Sequence, residues 1–307
     1  MSSSENTQLS PVMGYDPKKQ MIFSAPDLGT VPGSTPKIEF RRINISTLNE
    51  DGTVGELVFP TERVFSFGVS ENIEQGTGKI TGYTFPLVLW SKDQPTEAEK
   101  AWTDTFDRVV ECCIDHLLDN KEEIDQYDLQ RSDLTKSKGG LNPLYWKKEK
   151  VKDENTGKMV LRNVEGQGPT LYSKLIYSKK NNKFLTEFTD TQDNPLSPLD
   201  LMGKYCYTNA AVKIESIFIS GTGRITLQVK LYDAVVEQNK SGLKKLLHRQ
   251  KVNNTVSMSN STVPLSDKLV ESDDEEGSLD GTVDTQPEST PKKAVKKVVK
   301  KVKKATA

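Results

Sequence analysis

Histidine is nearly missing from this chain: His116 and His248 are the only two in 307 residues. A nucleophile–histidine pair or a histidine metal site is poorly supplied by that stock. Cysteine is scarce as well. Cys112, Cys113 and Cys206 show no zinc spacing, and neighbouring cysteines rarely bridge, so they read as reduced thiols of an intracellular protein. No apolar run is long enough to cross a bilayer. The opening Met1-Ser2-Ser3-Ser4-Glu5 has no signal-peptide core. Excess charge is absent too: the net charge is −1, so attraction to nucleic acid has to come from local patches. Gly166-Gln167-Gly168 and Gly221-Thr222-Gly223 lack the Lys-Ser/Thr ending of a phosphate loop and read as turns. Acidic residues are scattered, with no Asp-x-Asp pair at a strand end for a two-metal nuclease. These gaps point to a binding protein rather than an enzyme, with no cofactor.

What is present is strand pattern. Residues 1–35 are rich in Ser, Pro and Gly and are expected to form a loose N-terminal arm, with one docked piece near Met21-Ile22-Phe23. From Lys37 onward, short apolar runs separated by turns predict strands at 37–45, 56–59, 63–69 and 83–90. Further strands are expected at 144–146 and 170–177. A segment at 184–188 is expected to pair with the latter. The hairpin 205–219 with 224–236 turns at Ser220-Gly221-Thr222-Gly223. One long amphipathic helix interrupts them. Thr96 and Glu99 form a capping box, and Trp102, Phe106, Val109, Val110, Cys113, Ile114, Leu117 and Leu118 recur with helical period. The domain is therefore expected over residues 36–240, mainly β with one helix.

Aromatic residues beside cations mark the later strands. Tyr145-Trp146-Lys147-Lys148, Tyr172 with Lys174, Tyr177 with Lys179 and Lys180, and Lys204-Tyr205 with Tyr207 all have this form. A flat ring stacks on a base while the adjacent cation neutralises phosphate, the combination that sequence-tolerant single-strand binding uses. Lys213 is a candidate for the same groove. Phe65, Phe67, Phe85, Trp90 and Phe218 lie in more apolar runs and are expected in the core. DNA and RNA both offer rings and phosphates, so this pattern alone does not separate them.

Residues 241–307 are polar and expected to be a disordered tail. It carries an acidic block, 271–276, and a Lys-rich end, 292–304. If that end is helical, Val295, Val298, Val299 and Val302 share one face, surrounded by lysines that include Lys296, Lys297, Lys300 and Lys301. The basic end could grip phosphates with strong salt dependence, lie on an anionic membrane, act as an import signal or merely solubilise. The acidic block could fold back on the basic end or the groove, or recruit replication or virion proteins.

The order of these pieces carries a resemblance. It rests on Tyr83–Trp90, Pro95-Thr96-Glu97-Ala98-Glu99-Lys100, Asn142-Pro143-Leu144-Tyr145, Gly168–Leu175, Ala211–Ile219 and Leu227–Tyr232. Residues 37–237 resemble a protein family of nucleocytoplasmic large DNA viruses that is similar to OB-fold single-stranded DNA-binding proteins of viruses and phages. The resemblance implies an OB-like β-barrel with extra strands and a role in viral DNA replication, recombination or repair. It implies action in a cytoplasmic virus factory, the nucleus or the virion, and supplies no DNA-contacting positions. Several phage relatives end in an acidic tail, whereas this chain ends in lysines. The alternative expectation is a virion or DNA-packaging protein that uses the Lys-rich end on duplex DNA.

Overall fold

Alternating apolar and polar residues place strands along most of the chain up to Gln238. The computed structural model describes residues 4–31, 35–74, 76–90, 94–136, 139–153, 157–178 and 180–238. The acidic block, the Lys-rich end and Lys179 lie outside the described residues. Strands β1 (Gln8–Leu9), β2 (Met21–Phe23) and β3 (Asp27–Thr30) come first, with the short helix α1 (Pro17–Gln20) before β2. Next are β4 (Glu39–Leu48), β5 (Val54–Pro60), β6 (Val64–Ser66), β7 (Ser70–Ile73) and β8 (Ile80–Val88). Helix α2 (Glu97–Asp119) and the single turn α3 (Arg131–Leu134) precede β9 (Leu144–Tyr145). Then come β10 (Lys148–Lys152), β11 (Met159–Asn163) and β12 (Thr170–Leu175). The last are β13 (Tyr177–Ser178), β14 (Lys183–Phe184), β15 (Glu187–Asp190), β16 (Cys206–Ser220) and β17 (Ile225–Gln238).

Five of these strands close a ring. β6 pairs with β8, β8 with β12, β12 with β17, β17 with β16, and β16 returns to β6. Only the β12–β17 contact is parallel. This is the OB-like barrel that the resemblance implies, with further strands paired onto it. Closure removes the free edges that an open sheet would expose. β16, 15 residues long, also pairs with β4 and β5. Register shifts at Ala211/Val212 and Ile214/Ser216 mark bulges, which let one strand bend as it passes from the ring to β5 and β4.

The register decides which side chains enter the barrel. Leu144, Leu171, Leu87, Ser66 and Cys206 are paired in one row across β9, β12, β8, β6 and β16, and all five are buried. The adjacent row, Tyr145, Thr170, Val88, Phe65 and Tyr207, therefore points outward, because successive strand residues alternate faces.

Helix α2 begins with the expected capping box. The Glu99 amide donates to Thr96 Oγ1 at 3.2 Å, and the Thr96 amide donates to Glu99 Oε2 at 2.8 Å. Its apolar face is buried from Trp102 to Leu117. Trp102 stacks on Phe106 with ring centroids 5.2 Å apart, and its indole N–H donates to the Pro60 carbonyl at 3.1 Å.

Two expectations need correction. More of the N-terminal segment docks than the one piece foreseen. β2 and β3 pair with β4, and β1 pairs with β5. Tyr15 is fully buried, edge-on to Phe59, with its hydroxyl 2.9 Å from that of Thr47. The reason is that β4 and β5 offer unpaired edges, and this segment supplies both backbone partners and a ring for the space beneath them. Second, the segment at 184–188 pairs with the 170–177 stretch only at its tip, where Tyr177 pairs antiparallel with Phe184, and the pairing does not continue onto β12. Thr186 interrupts the pairing: its Oγ1 accepts from the Ile176 amide at 2.8 Å and donates to the Leu231 carbonyl at 2.7 Å. β15 is thereby drawn into a parallel pairing with β17 instead.

Candidate nucleic-acid interface

β12 alternates strictly. Leu171, Ser173 and Leu175 are buried, while Tyr172 and Lys174 are exposed on the outer face. Tyr172 meets Tyr145 edge to face, with ring centroids 6.1 Å apart and planes at 72°. Both rings stay open, at 50% and 55% exposure. They form a shallow platform, held in place by the Thr170↔Tyr145 pairing.

A groove of about 680 Å³ begins at this platform. Tyr172, Lys174, Phe218, Thr226 and Gln228 line it, and Arg42 and Arg224 add charge. Among the described residues none of those lining it is acidic. Arg42 and Arg224 make no salt bridge among the described residues. The Arg42 Nε is buried without a hydrogen-bond partner there. Lys174 donates to Gln228 Oε1 at 2.9 Å. Its ammonium is held below the ordinary lysine pKa, first by partial burial, then by repulsion from Lys230 and Arg224, with Glu215 pulling the other way.

The other sequence-predicted residues divide among several places. Trp146 is half-buried against Trp90, centroids 5.6 Å apart, and Gly168 packs on the Trp90 ring. Lys147 and Lys148 are exposed at the root of the β10–β11 hairpin, beside Tyr145. Tyr177 belongs to a separate cluster with Tyr83 and Phe184, and its hydroxyl donates to Asn182. Lys180 is exposed in the turn before β14. Lys213 is a correction: its ammonium is tied to Glu56 at 2.5 Å, with the two side chains 13% and 17% exposed. The neighbouring strand β5, paired with β16 at Lys213↔Val58, provides its counter-ion.

Lys204, Tyr205 and Tyr207 lie at the start of β16, away from the groove. They join two phenylalanines that were expected in the core. Phe65 is only half-buried and Phe67 is 44% exposed. Phe65 contacts Phe67, Tyr205 and Tyr207 edge-on at 5.2–5.8 Å. The Arg63 guanidinium lies over the Tyr207 ring, 3.8 Å from its centroid. Phe218 is also half-buried and lines the groove, whereas Phe85 is fully buried as expected. The alternation of Phe65 and Phe67 about Ser66 puts the two rings on one face of the strand but does not say which face meets water. Nothing local pointed to Arg42 or Arg224.

Among the described residues no group of three or more His, Cys, Asp or Glu side chains is placed to hold a metal ion. No helix there is long and apolar enough to cross a membrane.

Residues 14–280 match the family model described as "Protein of unknown function (DUF2738)". The chain is also similar to "Uncharacterized protein 007R" of Invertebrate iridescent virus 3. The two are 27% identical over 193 residues, which is 62% of this chain and 38% of that viral protein. The match thus spans well under half the length of that relative.

Proposed function

We propose that this chain, which belongs to the DUF2738 family, binds single-stranded DNA on the outer face of its barrel, in viral DNA replication, recombination or repair. The observation that carries the reading is the exposed Tyr145–Tyr172 pair opening onto a groove with three cations and no carboxylate among its described lining residues. Bases would stack on the two tyrosines, and the backbone would follow Lys174, Arg42 and Arg224. Stacking accepts any base, since every base has a π-face, so little sequence preference is expected. The groove also reaches the β16–β17 turn at Ser220 and Arg224, a region that barrels of this kind use for oligonucleotides. The action is binding without bond chemistry, so no cofactor enters it.

The test is a gel shift of the full chain on single- and double-stranded DNA, repeated with Tyr172→Ala and with Arg224→Gln. The expected result is a preference for single strands that each variant weakens. Equal affinity for both forms, unchanged by either substitution, would overturn the reading and favour a duplex contact made elsewhere in the chain.

A further inference from the structure

The second aromatic cluster has no role in the groove just described, yet its geometry suits the same ligand. We propose that Phe65, Phe67, Tyr205 and Tyr207 form a second stacking subsite, used only by strands long enough to leave the groove and cross the barrel. The inference rests on the groove reading and extends it.

Three observations carry it. The first is continuity. Tyr145, Thr170, Val88, Phe65 and Tyr207 occupy one outward row by direct cross-strand pairing. Four strand spacings of ~4.8 Å put Tyr207 roughly 19 Å along the barrel surface from Tyr145. Within that row, Thr170 and Val88 lie between the first platform and Phe65.

The second is exposure. Tyr205 is 61% and Phe67 44% exposed, and they contact each other edge-on at 5.8 Å. Folding alone gains little from leaving two large rings in water at the end of a closed barrel. A nucleobase, flat and weakly hydrated on its faces, covers such rings without needing a complementary protein shape.

The third is charge. Arg63 is already stacked on Tyr207, and Lys204 is exposed next to Tyr205. Arg63 is shared with Glu237 at 2.8 Å. This end is therefore less cationic than the groove and is suited to follow a strand already bound there, rather than to capture one.

The test separates this subsite from the groove by ligand length. Affinities of the full chain are measured by fluorescence anisotropy for oligothymidylates of about 4 and about 20 nucleotides, at the lower end of and beyond the usual footprint of one such barrel. The Phe67→Ala/Tyr205→Ala double variant is expected to bind the long strand at least about tenfold more weakly, with the short strand unaffected. Both rings are exposed, so the fold does not depend on them; a circular-dichroism melt superimposed on wild type checks this. As a second readout, Phe67→Trp should be quenched by the long oligomer and not by the short one. Unchanged long-strand affinity with no quenching would overturn the subsite and assign the rings to a protein contact. Failure of the unsubstituted chain to bind either length would overturn the groove reading itself.

Discussion

Tyr145 and Tyr172 come from strands separated by the whole β10–β11 hairpin, and they meet edge to face 6.1 Å apart because Thr170 pairs directly with Tyr145. Neither ring is needed to fill the barrel, whose interior is supplied by Leu144 and Leu171 from the same two strands. Single Tyr145→Ala and Tyr172→Ala substitutions should therefore leave the melting temperature nearly unchanged. Each should weaken single-strand binding by about 1–3 kcal/mol. Titrations of both single variants and the double variant check this. Coupling between them is expected, because the two rings touch.

Salt provides the next prediction. Each phosphate contact to single-stranded DNA contributes about 0.7 to the slope of log affinity against log salt concentration. The Lys174→Gln/Arg224→Gln variant should therefore show a slope shallower by about 1.4. A slope identical to wild type would remove both residues from the phosphate path.

Lys174 also sets a pH dependence. Partial burial and two neighbouring cations keep its pKa below the ordinary lysine value. Its charge is therefore lost earlier on the alkaline side than that of a surface lysine. Affinity should fall as pH rises into that range, and Lys174→Arg, charged throughout, should flatten the fall. Anisotropy titrations between neutral and alkaline pH measure the difference.

His116 is expected to make stability pH-dependent on the acid side. It lies flat against Phe23, ring centroids 4.0 Å apart, and burial lowers its pKa, with Glu123 and Asp119 opposing. Below histidine's ordinary pKa the unfolded chain takes up a proton that the folded chain resists. Stability should therefore fall as pH drops through that value, and level off once the folded form protonates too. Asp107, raised chiefly by burial, tilts the curve the other way at lower pH. Comparing thermal melts of wild type and His116→Gln isolates the histidine contribution.

Gly168 is pressed against Trp90: a Cβ there would lie 2.4 Å from a ring carbon. Gly168→Ala should displace the Trp90 ring and destabilise the fold by about 1–3 kcal/mol. Chemical denaturation measures the cost, and a shift in tryptophan emission reports the displaced ring.

Local features of the chain were legible without coordinates wherever neighbours in sequence settle the outcome. The Thr96/Glu99 box, the buried face from Trp102 to Leu117 and the turn at Ser220–Gly223 depend on residues a few positions apart. The same holds for the outward alternation of Tyr172 and Lys174. The paired state of Lys213 was not legible, because Glu56 reaches it from a distant strand.

Composition and periodicity thus established a mainly β domain with one long helix, and a supply of rings and cations on its later strands. Ring closure did the sorting. It put Phe65 on the outside, while the pairing of β16 with β5 took Lys213 out of reach and its pairing with β4 set Arg42 beside Phe218 in the groove that Tyr172 and Arg224 also line. The physical reason is that alternation says only that two faces exist. Which face meets water depends on which strands become neighbours and in what register, and those pairings join residues that no local pattern connects.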